Sequence, residues 1–439
     1  MSKTISLFCA LVIGVITPFT LQPGPAAAVP VVGDLDGDRT GGAVDCAPLD
    51  PSVHPGAPDR PDLAFTDTNC DGIDGNAAKA VFVSTVDGND AGTGTKNNPL
   101  KTINAGITAA APAGKDVYVA GGTYAETASL ADDVGVYGGY ALNFRNRSAD
   151  EATTINGANG PAALAVGDTD VVLQMLTLHG TRDFEGNSYG IRAVPEGATA
   201  SQVVLEKVGV TAEDAGAPRS GFNGGSGFFG AGFGGGQGGF GGCGSGVVGQ
   251  LGAFGFGSGG SGAPGSDGAN GALAVPPGTT WLRQQAPGGG TGGAGAGGRG
   301  GTGGVGGGGG LGGSGGFGGA GSFGVYAFNS SVVAVGTTLT AGAGGPGGNG
   351  GLGGSGGSGA PGTVGAPGAC ETFFVTTCAG NGLASQPGFQ GGPGGRGGGG
   401  VGGPSAAVYQ GGPSSGYTGR NSVATPGAAG LGGFPGGGS

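Results

Sequence analysis

Three stretches, VVLQMLTLHG (residues 171–180), VVLEKVGVTA (203–212) and VVAVGTTLTA (332–341), superpose without a gap. Each joins two short apolar runs through a small or polar break. The first two copies, opening at Val171 and Val203, follow closely; the third opens only at Val332. A further element recurs ahead of the later copies, SYGIRAV at 188–194 and SFGVYAF at 322–328, with a weaker echo in SAAVY at 405–409. One such unit cannot bury its own apolar face, so the repetition implies stacking into a solenoid. Val-rich strands this short, bounded by turns, fit a parallel β-helix better than a β-sandwich. The expected fold class is therefore all-β: a parallel β-helix carrying glycine-rich extended insertions and a short N-terminal segment.

Upstream of these rungs, AVFVS reads as a strand and DGNDAGTGTKNNP as a turn cluster. Thr102 can cap a short helix in which Ile103 and Ile107 share a face, ending before Pro112. Such a helix would close the open end of the solenoid and hide its edge. The segments DGNDAGTGTKNNPLKTINAGI (87–107) and AGGTYAET (120–127) resemble the N-terminal part of right-handed parallel β-helix proteins of the pectate-lyase-like superfamily. The resemblance covers residues 80–214 well and the later rungs loosely. It implies a right-handed solenoid; because that superfamily holds lyases, hydrolases, adhesins and proteins of no known activity, it does not imply a reaction.

Between matched rungs the chain turns to glycine, of which there are 119 in 439 residues, beside 27 prolines. One excursion runs over 215–321 and a second over 342–403. The rung at 322–341 lies between them, and 404–439 reads as a terminal rung with a glycine-rich tail. The period is three. Residues 297–320, GGRGGTGGVGGGGGLGGSGGFGGA, are eight consecutive Gly-Gly-x triplets, and Gly recurs at every third position from Gly344 to Gly368. Three residues per turn is the repeat of the extended left-handed helix. With two bare edges per turn, such helices can approach closely and exchange backbone hydrogen bonds, as in polyglycine II. Flexible linkers are normally Gly/Ser-rich and hydrophilic; here Val305, Leu311 and Phe317 take x positions. A likeness to mycobacterial glycine-rich surface proteins rests on composition alone.

Net charge is −11, with the carboxylates crowded into the first half. That balance argues against nucleic acid, which needs a basic face, and suits divalent cations. Residues 1–28 read as a secretory signal, with Lys3, an apolar run and a small-residue end at Ala26–Ala28. Pro18 and Pro23 interrupt any spanning helix, and no later segment could cross a membrane. The expectation is a secreted or cell-surface protein, in which disulfides are permitted. Cys46 with Cys70 and Cys370 with Cys378 are the expected pairs; Cys243 is left over, and its pairing with Cys370 or Cys378 is an alternative.

The segment 29–79 is acidic. DLDGDRTGGAVD places Asp34, Asp36 and Asp38 at alternate positions and Asp45 at position twelve, as a calcium loop requires. DTNCDGID adds Asp67, Asn69 and Asp71, then Gly72, matching the opening of a calcium motif, with Asp74 as a substitute for the missing final carboxylate. Each half is incomplete, so one composite site and two separate sites are both open. This stretch, above all DPSVHPGAPD, resembles a metal-binding motif of secreted and surface proteins of myxobacteria and related bacteria. The resemblance implies divalent-metal binding at Asp34, Asp36, Asp38, Asp67, Asn69, Asp71 and Asp74, and calcium is the expected ion. His54, beside Pro55, reads as a packing residue.

No catalytic site stands out. Enzymatic β-helices gather Asp with Arg or Lys on one outer face, whereas the columns read as outward here are Gln174, Glu206 and Val335, then Met175, Lys207 and Gly336. Arg182, Asp183 and Glu185, with Arg192, Glu206 and Lys207 nearby, form the best cluster for sugar chemistry, though such a set is more often a solvated loop. His179 has no evident partner, and Trp281 reads as packing an excursion onto the solenoid. The sequence thus favours a non-catalytic structural or adhesive protein whose partners are surface polysaccharide or other matrix components. A carbohydrate-active enzyme is the alternative. An ice-binding protein is the third reading, ranked last because Thr is scattered.

Overall fold

The computed structural model describes residues 33–229, 266–267, 269, 278, 280–283, 285–287, 308–361, 370–372, 376–378 and 387–436. Residues 1–28, read above as a signal, Cys243, the triplets at 297–307 and the side chains of Cys370 and Cys378 lie outside the described residues. The chain forms two compact units: Met1–Asp59 with Asp67–Asp71, and Arg60–Thr66 with Gly72–Ser439.

The second unit is a right-handed parallel β-helix built from three sheets. The first sheet stacks Ala80–Val83, Asp116–Ala120, Val136–Tyr140, Val171–Gln174, Gln202–Glu206, Ser331–Val335 and Gly416–Arg420. The second stacks Gly122–Ala125, Thr153–Asn156, Thr177–Gly180, Gly209–Ala212, Thr338–Thr340 and Val423–Thr425. The third stacks Ala128–Ser129, Ala163–Val166, Ser188–Val194, Ser322–Phe328 and Ser405–Gly411. The chain visits the sheets in that order and then climbs one rung.

The gapless match between the three repeats is the strand register itself. Val203 pairs with Val171 and Val332, and Leu205 with Leu173 and Ala334. In the third sheet Ser188, Ser322 and Ser405 share one row. Alternate residues point inward and stack in columns: Val171, Val203 and Val332, then Leu178, Val210 and Leu339, all buried. Between the first and second sheets every rung of this stack turns through a left-handed residue: Met175 at φ 57°, Lys207 at 54°, Gly336 at 58° and Asn421 at 50°. The column read as Met175, Lys207 and Gly336 is therefore a stack of turn residues, a conformation that strains bulky side chains and suits Gly and Asn. At the N-terminal end, the helix Ile103–Ala110 buries Ile103, Ile107 and Ala110 against the first two strands of the first sheet. Its N-cap is Thr102, whose side chain accepts from the Ala105 amide at 3.2 Å.

Both long excursions leave after a second-sheet strand and return before a third-sheet strand. The outgoing stretches 213–228, 342–360 and 427–436 lie side by side: the Ala215 amide donates to Ala343 O, Gly224 to Leu352 O and Gly347 to Leu431 O, at 2.7–2.8 Å. The returning stretches 308–321 and 387–404 run the other way and bond to the outgoing ones, as in Gly351 N to Ser314 O at 2.8 Å and Gly397 N to Gly351 O at 2.9 Å. Toward any one neighbouring stretch, donors recur at every third residue. Burial has the same period, with Pro346, Asn349, Leu352, Ser355 and Ser358 exposed and most residues between them buried. None of the described glycines in these stretches has a positive φ, so glycine serves close approach here: a Cβ on Gly351 would collide with the Phe222 carbonyl. Farther out, Cys370–Thr372 and Thr376–Cys378 form an antiparallel pair with Cys370 opposite Cys378.

Candidate metal centre and the outer faces of the solenoid

In the first unit the alternate Asx residues fold back on their own backbone. Asp34 accepts from Gly37 N at 2.7 Å and Arg39 N at 3.2 Å, and Asp38 accepts from Thr40 N at 2.6 Å. Such turns need left-handed links, supplied by Gly37 at φ 88° and Arg39 at 75°. Ligand oxygens of Asp34, Asp36 and Asp38 all lie within 4.8 Å of one another. The Oδ2 atoms of Asp36, Asp38 and Asp45 are buried and take no hydrogen bond. Buried carboxylate oxygens without a donor are costly unless a cation satisfies them. An all-oxygen set of carboxylates suits a hard divalent ion such as calcium. In the second run, Asp67 and Asn69 both accept from Asp71 N, at 3.1 and 2.9 Å. The disulfide Cys46–Cys70 joins the two runs. His54 places Nδ1 3.2 Å from its neighbour's carbonyl, Pro55 O.

Asp74 is placed elsewhere. It belongs to the second unit, where its carboxylate pairs with Arg147 at 2.9 Å, both side chains almost fully buried. Burial pushes its pKa up, and the Arg147 hydrogen bond pulls it back. Arg147 also donates to Gly138 O, Asp62 O and Gln174 Oε1, the last at 2.6 Å. Gln174 in turn donates to Glu206 at 2.6 Å, so the Gln174–Glu206 column continues a buried polar chain. Tyr137 and Tyr140 lie over the guanidinium, with Tyr118 and Phe144 packed against them. Arg147 and Gln174 are sealed from solvent, so no substrate can reach them. Sequence reasoning missed this network because its members are spread along the chain from Asp74 to Glu206 and follow no period.

Arg182, Asp183, Glu185, Arg192, Glu206 and Lys207 do not converge. Arg182 Nε donates to Asp214 O, and Glu185 pairs with Arg219 at 3.1 Å, both where the first excursion departs. Arg192 stands on the third sheet beside Tyr189, and Glu206 on the first. Trp281, 4% exposed, packs against Phe323 and Tyr409 of the third sheet, and its amide donates to the Tyr189 hydroxyl.

The second sheet gives a different picture. Its outer face carries two columns, Thr123, Thr154, Thr177, Gly209, Thr338, Val423 and Ala125, Asn156, His179, Thr211, Thr340, Thr425. Threonines scattered along the chain are thus gathered on one face; the T-x-H triplet at 177–179 and the T-x-T triplet at 338–340 are the signals that point to it. His179, which lacked an evident partner in the sequence, has two: Thr211 Oγ1 at 2.8 Å and Glu213 at 3.6 Å.

A family model described as a protein of unknown function (DUF1565) matches residues 86–131, the end-capping helix and the turn of solenoid around it. No curated protein matches. Among solved structures, the GH136 lacto-N-biosidase from Eubacterium ramulus (native protein) is 15% identical with a TM-score of 0.22, over 30% of this chain and 27% of that one. Its selenomethionine derivative is 14% identical with the same TM-score and coverage. Pectin methylesterase PemA from Erwinia chrysanthemi is 16% identical with a TM-score of 0.21, over 33% of this chain and 46% of that one. The matched segments span less than half of those proteins. Among the described residues no helix is long and apolar enough to cross a membrane.

Proposed function

We propose that the protein is an exported, non-catalytic scaffold that binds calcium in its N-terminal unit and associates with extracellular or surface polymers through its solenoid and glycine layers. The observation that carries the calcium reading is the set of three buried carboxylate oxygens without a donor, on Asp36, Asp38 and Asp45. Asp34, Asp36 and Asp38 would hold the ion, which would stabilise the loop by neutralising their charge. The every-third-residue hydrogen bonding supports a polyglycine II-type bundle, a rigid body suited to association rather than a tether. The scattered placement of Arg182, Arg192 and Glu206 favours this reading over a carbohydrate-active enzyme. Calcium titration by isothermal calorimetry, with the melting temperature followed in parallel, tests it: binding is expected in the wild type and is weakened at least tenfold in Asp36→Asn/Asp38→Asn. No heat and no melting shift would remove the calcium reading. Unsaturated products from uronic-acid polymers would restore the enzyme.

A second reading, ice binding, is favoured by the threonine columns. Successive positions repeat at roughly 4.8 Å along a column and about 6.7 Å between columns, set by strand spacing and the two-residue period. The two columns carry no Asp, Glu, Lys or Arg, as a surface that orders water would need. Thermal hysteresis in the wild type, lost in Thr177→Lys/Thr338→Lys, is the expected result; none in the wild type removes this reading.

A further inference from the structure

The solenoid of the second unit has unlike ends. At one end the helix Ile103–Ala110 packs against strands of the first and third sheets. At the other, Ser405–Gly411, Gly416–Arg420 and Val423–Thr425 are each last in their sheet, and among the described residues no strand pairs with their outer edges. The glycine layers stop on the same side. In 342–360 the amides of Gly344, Gly347 and Gly350 donate to the next outgoing stretch, and those of Gly345, Gly348 and Gly351 to the returning one. In 427–436 the amides of Gly430, Gly433 and Gly436 take the second role. The first role falls to Ala429 and Gly432, both exposed, with no described stretch beyond them.

An open edge of this length invites pairing, and proteins guard against it with Lys, Pro or other charges. The three last strands carry no Pro and a single charge, Arg420. Residues 405–436 hold no carboxylate, in a chain whose net charge is −11. Two copies of an acidic chain repel least along such a surface. Its size is also sufficient. Strands of seven, five and three residues at about 3.3 Å per residue, with 427–436 at about 3.1 Å per residue, give roughly 80 Å of edge. At a depth of about 10 Å that is roughly 800 Å² per partner, the area a stable complex needs. The helix Ile103–Ala110 closes off head-to-tail stacking. The contact that remains joins like to like about a twofold axis, where the edges run antiparallel.

We infer that residues 405–436 form the interface of a twofold homodimer, in which the last rungs and last glycine stretches of two copies meet edge to edge. Sedimentation velocity of the full chain tests this. Interfaces of this size span micromolar to picomolar affinity, so the wild type is expected to be dimeric at about 10 μM. Val423→Lys/Ala429→Lys places charge at two exposed edge positions and should raise the dimer Kd at least tenfold. Leu352→Lys, exposed on the middle stretch, should dimerise as the wild type does. A wild type that stays monomeric, a double variant that dimerises as tightly as the wild type, equal weakening by Leu352→Lys, or open-ended growth beyond the dimer overturns the inference. Hydrogen exchange needs no variant. The amides of Ala429 and Gly432 should exchange at least tenfold more slowly in the dimer than after dilution below its Kd, and rates independent of concentration overturn the pairing.

Discussion

Replacing Arg147 with methionine tests the buried network directly. The substitution keeps much of the aliphatic stem and removes every donor. Four acceptors then lose their partner: the Asp74 carboxylate, the Gln174 side-chain carbonyl, and the backbone oxygens of Gly138 and Asp62. The carboxylate dominates, because its side chain is only 2% exposed and water cannot replace the guanidinium. Breaking a buried pair by removing one partner costs about 3–5 kcal/mol. Arg147→Met should therefore lower the guanidinium midpoint strongly, with an unchanged slope if the unfolded state is unaffected. Near-ultraviolet circular dichroism reports on the right place, since Tyr137 and Tyr140 lie over the guanidinium and Tyr118 packs on both. Two controls separate charge from packing. Adding Asp74→Asn removes the stranded charge while keeping an acceptor for Asp62 N, so the double variant should recover about 1–3 kcal/mol, the penalty of an unsatisfied buried group. Lowering the pH should do the same. Burial already pushes the Asp74 pKa up, and without Arg147 the neutral acid is favoured further, so the cost of Arg147→Met shrinks as Asp74 protonates. A cost below about 1 kcal/mol, no recovery in the double variant, or a cost independent of pH would refute the reasoning.

In the glycine layers, Gly351→Ala places a methyl group against the Phe222 carbonyl, whereas Leu352 is 46% exposed. Alanine at the first position should cost about 1–3 kcal/mol and speed amide exchange at Gly351 and Gly397, and at the second under about 0.5 kcal/mol; equal effects would undo the close-approach argument. Asp116 is raised by burial, partly offset by its hydrogen bond from Gly135 N and by Arg60 and Lys79. Its folded pKa lies above its unfolded value of about 3.9, so the folded state binds more protons. Its contribution is fully present below that value and is lost as pH rises through the folded pKa. Melting midpoints of wild type and Asp116→Asn should therefore diverge with rising pH, the wild type losing ground, and a pH-independent difference would sink the assignment.

The solenoid was legible because a parallel β-helix stacks equivalent positions, so a gapless alignment of repeats is also a strand register. Val171, Val203 and Val332 align in the sequence and pair in the sheet for one and the same reason. The helix at Ile103 was legible from its cap and its four-residue spacing. Arg147 was not: in NFRNRS nothing distinguishes it from Arg145, and its partner Asp74 sits inside a run that reads as calcium ligands. The threonine face was hidden differently. Thr211 and Thr340 are neighbours in the sheet, yet the whole first glycine excursion lies between them in the chain, and only the strand order brings the columns together.

That separation also explains how the solenoid tolerates its excursions. The hydrogen-bond ladder of the second sheet does not stop where the glycine begins. Gly342 N donates to Ala212 O at 2.9 Å, Ala215 N to Ala343 O at 2.7 Å, and Ala341 N to Thr425 O at 3.0 Å. Each outgoing stretch thus keeps the neighbour that its strand already had, and the backbone pairing carries on across the junction. The change from a two-residue to a three-residue period then alters which side chains face out, while the partner chain stays the same. A layer of this kind needs glycine at the two buried positions and leaves the third free. That is why Pro346, Asn349, Leu352 and Ser355 can follow one another on a single exposed edge without disturbing the rungs to which both ends of the excursion return.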